Sequence, residues 1–302
     1  MFSIIMPTFN RSALLSRSLE AILAMRGIEK SEIIIVDDGS VDDTSKLLNE
    51  VAKKHHNLTP LRQENSGIAA ARNHAMRHAR FDYVISMDDD ILPVPELLEE
   101  HERILKSGFD VSQGNLVWDE SRLQDPLIQF MEKYGMQFHL SHYKDGDTVS
   151  YLHVYTANLA FPKKDALESG GIDDAFSVRR YGFEDTAFAW KLVKMGRKIG
   201  FAEHALGLHL HPWTEQSLLR RENSVGYNLA VTNRHYPEMA ADLGYDRFAR
   251  NVGWQLPLVS LADKTGIARL FGSDFKRKVA VKHEFLRGLR DGMAAMEKEK
   301  QL

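Results

Sequence analysis

The chain has 302 residues, 43% of them apolar, and a formal net charge of −3 from 39 basic and 42 acidic side chains. That composition supports a substantial core and excludes a disordered chain, and the near balance of charge argues against nucleic acid as a partner. The absence of cysteine excludes disulfides, thiolate metal sites and cysteine nucleophiles together, and it fits a reducing compartment.

In the first half, short β-branched runs alternate with stretches of helical period. FSIIMPTF reads as a strand and Ser12–Met25 as a helix, with Leu15, Leu19, Ile22 and Leu23 at helical spacing. SEIIIVDDGS is a second strand, followed by a helix from about Asp43 to Lys54 on Leu47, Leu48 and Val51. LTPLRQEN precedes GIAAARNHAMRHA, and DYVISMDDD precedes PELLEEHERILKSG, which Gly108 stops. Four strand–helix units predict a mostly parallel sheet covered on both faces, with ligands bound beyond the carboxyl ends of the strands. Those ends carry the polar clusters Pro7–Asn10, Asp37–Ser40, Glu64–Gly67 and Asp88–Asp90. Any one is ordinary turn and cap chemistry, whereas four along one edge indicate a site.

If the chain stays extended through Ser86–Asp90, the two-residue period puts Asp88 and Asp90 on one face and Asp89 on the other. Two carboxylates so placed repel unless a cation lies between them, and a hard ion such as Mg²⁺ or Mn²⁺ takes oxygen donors of this kind. A solvated acidic turn capping the helix that starts near Pro95 is the alternative.

Downstream, Asp125–Asp147 is rich in aromatic and Met residues and reads as core, with a cleft wall as the functional alternative. In YGFEDTAFAWKLVKMG, Ala187, Trp190 and Val193 mark one side of a helix that Gly196 stops, placing Glu184 and Asp185 in its first turn. In LGLHLHPW, His209 and His211 share a face when extended, a pattern of packing or of metal ligation, and Trp213 suits a core or stacking on the ring of a ligand. Residues 214–302 read as mostly helical. Within them Phe275–Gly292 is amphipathic, with Lys276, Arg277, Lys278, Lys282, Arg287 and Arg290 against Glu284 and Asp291. Its readings are a face docked on the catalytic domain or on a second copy, and a peripheral contact with anionic lipid.

SIIMPTFNR, IIIVDDGSVDDT, ENSGIAAARN and SMDDDILP, in this order and at these intervals, resemble the donor half of the family two glycosyltransferases, which share the GT-A fold. TANLAFPKKDALESGGIDDAF and YGFEDTAFAWKLVKMG resemble the acceptor half, so the likeness covers about residues 2–212. It implies an α/β, GT-A-like, mostly parallel sheet flanked by helices. The catalytic domain would span residues 1–213, with a nucleotide-sugar half over 1–110 and an acceptor half over 111–213, and a helical C-terminal extension would span 214–302.

The activity it implies is metal-dependent, inverting transfer from a nucleoside diphosphate sugar, a UDP-sugar as first guess, to a glycan, lipid-linked glycan, peptide or small molecule. Carried over residue by residue, Pro7, Thr8 and Asn10 fall at the base and ribose edge and Asp37 at the base, with Asp38 and Asp89 beside the donor. Gly67 and Arg72 lie at the turn and helix that face the base or diphosphate. Asp88 and Asp90 are the pair for Mn²⁺ or Mg²⁺, Asp90 the more direct ligand, and His209 or His211 completes the site. Asp185 becomes the general base, with Glu184 raising its basicity or binding an acceptor hydroxyl.

A nucleotidyltransferase would carry a glycine-rich loop after the first strand, which PTFNRS lacks. A non-catalytic sugar-nucleotide binding module would have lost Asp88, Asp90 or Asp185, and all are present. Apolar runs such as Ser31–Val36 and Ala202–Leu210 are too short to cross a bilayer, which takes roughly 20 residues. The opening MFSIIMPTFN lacks the features of a signal peptide. The expected location is therefore cytoplasmic, with the inner face of the membrane as an alternative.

Overall fold

The β-branched runs of the first half become strands because their side chains can be covered on both faces at once: every residue of β1 (Ser3–Thr8) and β2 (Glu32–Asp37) is buried. In the computed structural model, which describes residues 1–176 and 182–299, these strands are separated by α1 (Ser12–Leu23). They are followed by α2 (Thr44–Ala52), β3 (Leu58–Arg62), α3 (Ile68–His78) and β4 (Tyr83–Met87), the alternation the sequence predicts. The chain continues through β5 (Ile91–Pro93), α4 (Leu97–Lys106), β6 (Val111–Trp118), α5 (Pro126–Lys133), β7 (Asn158–Pro162), α6 (Lys163–Glu168), α7 (Glu184–Lys194) and β8 (Ile199–His209). Tyr181, at the start of the YGFEDTAF motif, lies outside the described residues.

One eight-stranded sheet has the order β3-β2-β1-β4-β7-β6-β8-β5. Strands β3, β2, β1 and β4 are mutually parallel, as expected, and the chain reverses direction across the sheet between β1 and β4. The other half is mixed, because β7 runs antiparallel to both β4 and β6, and β5 antiparallel to β8. No helical crossover of βαβ type joins β6 to β7; the connection carries α5 and irregular chain, so the parallel sense is not imposed there. Leu127, Ile128, Phe130, Met131 and Leu140 of that connection are buried, which is the packing reading of the aromatic-rich segment.

The core of this half holds a satisfied polar hub. Asn158 donates from Nδ2 to the carbonyls of Asn115 and Ala205, at 3.1 and 2.8 Å, so its Oδ1 faces the fully buried His101 and accepts from Nε2 at 2.9 Å. The Nδ1 of His101 is then the acceptor for the Ser112 hydroxyl, also at 2.9 Å. Burial pushes the His101 imidazole down to about 4, against the opposing hydrogen bond to Asn158.

Residues 1–174 and 188–211 form one compact unit, and residues 175–187 with 212–302 form another. The first turn of α7, with Glu184 and Asp185, therefore belongs to the second unit. That unit is built from α8 (Glu215–His235), α9 (Pro237–Asp242), α10 (Tyr245–Lys264), a short turn of 3₁₀ helix and α11 (Ser273–Glu299). Helix α11 contains the basic amphipathic run, and its apolar side is occupied within its own unit. Leu286 and Leu289 pack with Leu229, Ala230, Val252 and Leu256.

The approach of α11 to α8 is close enough to require glycine. A Cβ at Gly226 would lie 2.0 Å from the Phe285 carbonyl oxygen, and one at Gly288 would lie 1.9 Å from that of Asn223. Trp213, the residue open to a core or a sugar-stacking reading, is buried. Among the described residues no helix is long and apolar enough to cross a membrane.

Two outcomes follow. Gly288→Ala should destabilise the protein by about 1–3 kcal/mol because its neighbour is backbone that cannot step aside. Gly253→Ala on α10, whose added Cβ would meet nothing within 4 Å, should be neutral or stabilising, and urea melts of the two variants check the contrast.

The second outcome concerns His101. Its pKa is lower in the folded than in the unfolded state, so the unfolded chain binds the extra proton and stability is lost as pH falls from about 6.5 to about 4. Between pH 7 and pH 5 the loss from this one group amounts to about 2 kcal/mol, and His101→Gln should reduce the slope by that amount. An unchanged slope would mean that His101 is not the titrating group.

Candidate active site

The carboxyl ends of β1, β2 and β4 and the end of β8 bring the site residues of the first unit together. Strand β4 stops at Met87, and Asp88–Asp90 form a turn into β5, with Ile91 N donating to the Asp88 carbonyl at 3.3 Å. The extended reading of Ser86–Asp90 is therefore corrected. The chain leaves the strand at Asp88 because β5 must cross to pair with β8, Ile91 opposite His209. As a result Asp89 and Asp90, rather than Asp88 and Asp90, converge on one cation.

That cation is Arg11, a residue the motif reading left unassigned. Its Nη1 donates to Asp89 Oδ1 and to Asp90 Oδ2, both at 2.8 Å. Thr8, at the end of β1, donates its hydroxyl to Asp89 Oδ2 at 2.7 Å, and Ser18 of α1 donates to the Asp89 carbonyl at 2.8 Å. Asp88, the most exposed of the three, turns the other way and pairs with Nη2 of the buried Arg72 on α3. His209 and His211 both reach Asp90: His209 Nε2 lies 3.6 Å from Oδ1 and His211 Nδ1 lies 3.3 Å from Oδ2.

Burial sets the electrostatics. It pushes the Asp89 carboxyl up to about 6, aided by the neighbouring charge of Asp90 and opposed by Arg11. Burial acts on Asp90 in the same sense, but contact with His211 and the charge of Arg11 outweigh it and hold Asp90 well below the usual carboxylate range. Burial likewise disfavours the charge on Arg11, and Asp89 and Asp90 more than offset it. His209, enclosed by Trp118 and Phe138 at ring-centroid distances of 5.1 and 4.9 Å, is pushed by burial down to about 4. It is neutral at pH 7, with a lone pair to offer.

Along the β2 edge, adjacent aspartates have different jobs. Asp37 accepts from Ser40 N at 2.8 Å, from the Ser45 hydroxyl and from Arg62. Burial would raise its pKa, but those bonds and the Arg62 charge hold it low. Asp38 accepts from Ser66 N and Gly67 N, each at 2.9 Å, and so fixes the loop that enters α3. Gly39 and Gly67 both have positive φ, and a Cβ at Gly39 would meet Asn65 N at 2.9 Å, so the two loops can touch only with glycine there. Asn10 accepts from Val41 N at 2.8 Å and donates its own N–H to Ser40, joining the β1 and β2 edges, while Pro7 is buried in β1 beyond the last β4 partner, Ile5.

With this geometry in hand, the family model described as Glycosyl transferase family 2 matches residues 3–156, about half of the chain. The chain belongs to glycosyl transferase family 2. The matched span holds Pro7, Thr8, Asn10, Asp37, Asp38, Gly67, Arg72 and Asp88–Asp90, whereas Glu184, Asp185, His209 and His211 lie beyond it. Chondroitin synthase of Pasteurella multocida (strain Pm70) is 24% identical over 265 residues, covering 78% of this chain and 27% of that protein. The chain thus spans about a quarter of the length of that relative.

Two solved structures share the fold. The mannosyltransferase PcManGT from Pyrobaculum calidifontis, in complex with GDP-Man and Mn²⁺, superposes with a TM-score of 0.65 at 19% identity, covering 97% of this chain and 86% of that one. S. aureus TarS 1-349 in complex with UDP superposes with a TM-score of 0.58 at 15% identity, covering 99% and 91%.

In the second unit of this family two member, Glu184 is buried and accepts from Gly182 N at 2.6 Å, so its carboxylate closes the turn that starts α7. Phe183, just before it, has φ of 71°. A phenylalanine in the left-handed region is strained, and its ring packs against the helical core of this unit. Asp185 follows, half-buried in the first helical turn.

As the side chains stand, no three carboxylate or imidazole groups among the described residues are arranged to hold a metal ion, and a guanidinium bridges the acidic tip instead. The tip nonetheless keeps one acceptor in reserve that an ion could use: Asp90 Oδ1 is buried without a hydrogen-bond partner, 3.6 Å from His209 Nε2.

If Arg11 supplies the charge this tip needs, Arg11→Ala leaves two buried carboxylates in opposition. Arg11 is 35% exposed, so screening reduces the effect, and a loss of about 1–3 kcal/mol at pH 7 is expected in urea melts. Without Arg11 both carboxyl pKa values rise, the folded state binds more protons than the unfolded state, and stability returns as pH falls towards 5. Mn²⁺ should raise Tm more in the variant than in the parent. Equal Mn²⁺ responses would show that Arg11 does not occupy the place of a cation.

Proposed function

We propose that this chain transfers a sugar from a nucleoside diphosphate sugar to an acceptor hydroxyl in a single, inverting displacement. The observation that carries the reading is the unpartnered Asp90 Oδ1 beside neutral His209, under an arginine that balances the acidic tip. Carboxylate oxygens suit Mn²⁺ or Mg²⁺ and an imidazole nitrogen favours the transition metal of the two, so Asp90 with His209 or His211 would hold the ion, and Asp88 would join them on release from Arg72. When bound, the ion supplies a Lewis acid against the growing charge of the departing nucleoside diphosphate. The Mn²⁺ and GDP-Man in the mannosyltransferase neighbour and the UDP in TarS support this reading of the tip. A UDP-sugar is the first candidate donor.

The remaining roles belong to the chain's own groups. Arg11 and Arg72, paired with the aspartates, offer planar forks of donors to a diphosphate. Asp37, held ionised, suits a donor N–H on the base. Asp185 accepts the proton of the acceptor hydroxyl as its oxygen bonds to C1 of the sugar and the C1–diphosphate oxygen bond breaks. Glu184 is a positioning residue, since its carboxylate is engaged by Gly182. Residues 1–213 act as the catalytic domain in this reading, with 214–302 as a helical extension, and the acceptor is a glycan, lipid-linked glycan, peptide or small molecule.

Release of free nucleoside diphosphate from a panel of donors, with Mn²⁺ and acceptor glycans, tests the reading. Chelator should abolish release and added Mn²⁺ restore it. Asp185→Asn should lower turnover by on the order of 10²–10⁴-fold with the donor Km little changed. Wild-type turnover in that variant would remove the base assignment, and full activity under chelator would remove the metal. Donor binding that raises Tm without any release would assign the chain to the non-catalytic class.

A further inference from the structure

We infer that the α10–α11 side of the helical unit is a docking surface for an anionic lipid bilayer. Of the fourteen large apolar residues that stand exposed among the described residues, seven fall within residues 254–275. Trp254, Leu258 and Leu261 recur at spacings of four and three and so form one exposed stripe along α10. The turn that follows adds Leu270, 82% exposed, and Phe271, 68% exposed, whose ring lies 5.2 Å from that of Phe275 at the start of α11. The buried sides of the same helices already fill the core of the unit, so this stripe is a second apolar face that the fold leaves in water.

Charge decides what covers it. Residues 247–283 carry eight Lys and Arg and two Asp, a net +6 within a chain of net −3. Both aspartates are engaged locally, Asp263 with His283 at 3.4 Å and Asp274 with Arg277 at 3.9 Å. Arg250, Lys264, Lys276, Lys278 and Lys282 stand exposed.

A twofold interface between two copies would bring this basic rim against itself, and like charges oppose such a contact. A surface of anionic headgroups attracts the same rim, while Trp254, Leu258, Leu270 and Phe271 enter the boundary between headgroups and acyl chains. With no spanning helix among the described residues, this contact is peripheral and weakened by salt. The basic run of α11 contributes charge to it, but the apolar part comes from α10 and the turn, which motif reading did not single out.

This inference is independent of the glycosyl-transfer reading and is tested by binding alone. The full chain is co-sedimented with phosphatidylcholine vesicles and with vesicles containing about one-third phosphatidylserine. Partitioning onto the anionic vesicles should be on the order of tenfold stronger or more and should fall with added NaCl. Leu270→Ser with Phe271→Ser should weaken binding to them, and Lys276→Glu with Lys278→Glu should erase the anionic preference. Tm should be unchanged in both variants because the substituted side chains face water. Equal or absent partitioning of the parent onto the two vesicle types overturns the inference. So does a dimer at micromolar concentration that Leu270→Ser converts to monomer, which would give the face to a second copy.

Discussion

Two ionised carboxylates buried side by side need a positive charge or a shared proton between them, and the strand ends of the first unit are organised around that constraint. Asp89 and Asp90 are both nearly excluded from solvent, and Arg11 bridges them. Each neighbouring element contributes a restraint: Thr8 from β1 and Ser18 from α1 fix Asp89, while Leu210 N donates to the Asp90 carbonyl at 2.9 Å. A buried ion pair is weak as a device for stability, because desolvation cancels much of its attraction, and an apolar tip to β4 would serve the fold as well. Its presence where four strand ends meet is better explained by a ligand that changes the charge there.

The neutral state of His209 belongs to the same arrangement. A protonated imidazole beside Asp90 would form an ordinary ion pair and leave no donor for an incoming cation. The aromatic walls of Trp118 and Phe138 remove water from the ring and so favour its neutral form. Packing from the end of β6, through Trp118, and from the segment after it, through Phe138, thus tunes a group at the end of β8.

How much of this was legible in the sequence depends on the range of the interactions. Ile4–Met6 and Ile33–Val36 could belong only to covered strands, and the structure gathers polar side chains where those strands end. Arg11 was illegible because its meaning rests on partners 78 and 79 positions away, and nothing local distinguishes it from any arginine opening a helix. The face assignment within Asp88–Asp90 needed to know that β5 pairs with β8, a contact set by the end of the sheet. The DDGS motif reads as one cluster, yet Asp38 is spent on the backbone of Ser66 and Gly67 while Asp37, buried beside it, accepts from Ser40, Ser45 and Arg62. Nothing local distinguishes Gly226 and Gly288 from other glycines, whereas in the fold they are the reason α8 and α11 can touch.

Backbone strain lies beside candidate residues in each of the two units. Among the described residues, the non-glycine positions with positive φ are Asn10, Phe138 and Phe183. Each left-handed residue costs on the order of 1–2 kcal/mol, and glycine would avoid it, so the side chain must do something glycine cannot. Asn10 holds the β2 loop through Val41, Phe138 encloses His209, and Phe183 packs its ring into the helical core one residue before Glu184. In each case an apolar or hydrogen-bonded anchor forces the chain through an unfavourable turn next to a residue carrying candidate chemistry. A chain selected for stability alone would relax those turns. Keeping all three fixes the direction of His209 and of the helix that bears Asp185 at the expense of backbone energy.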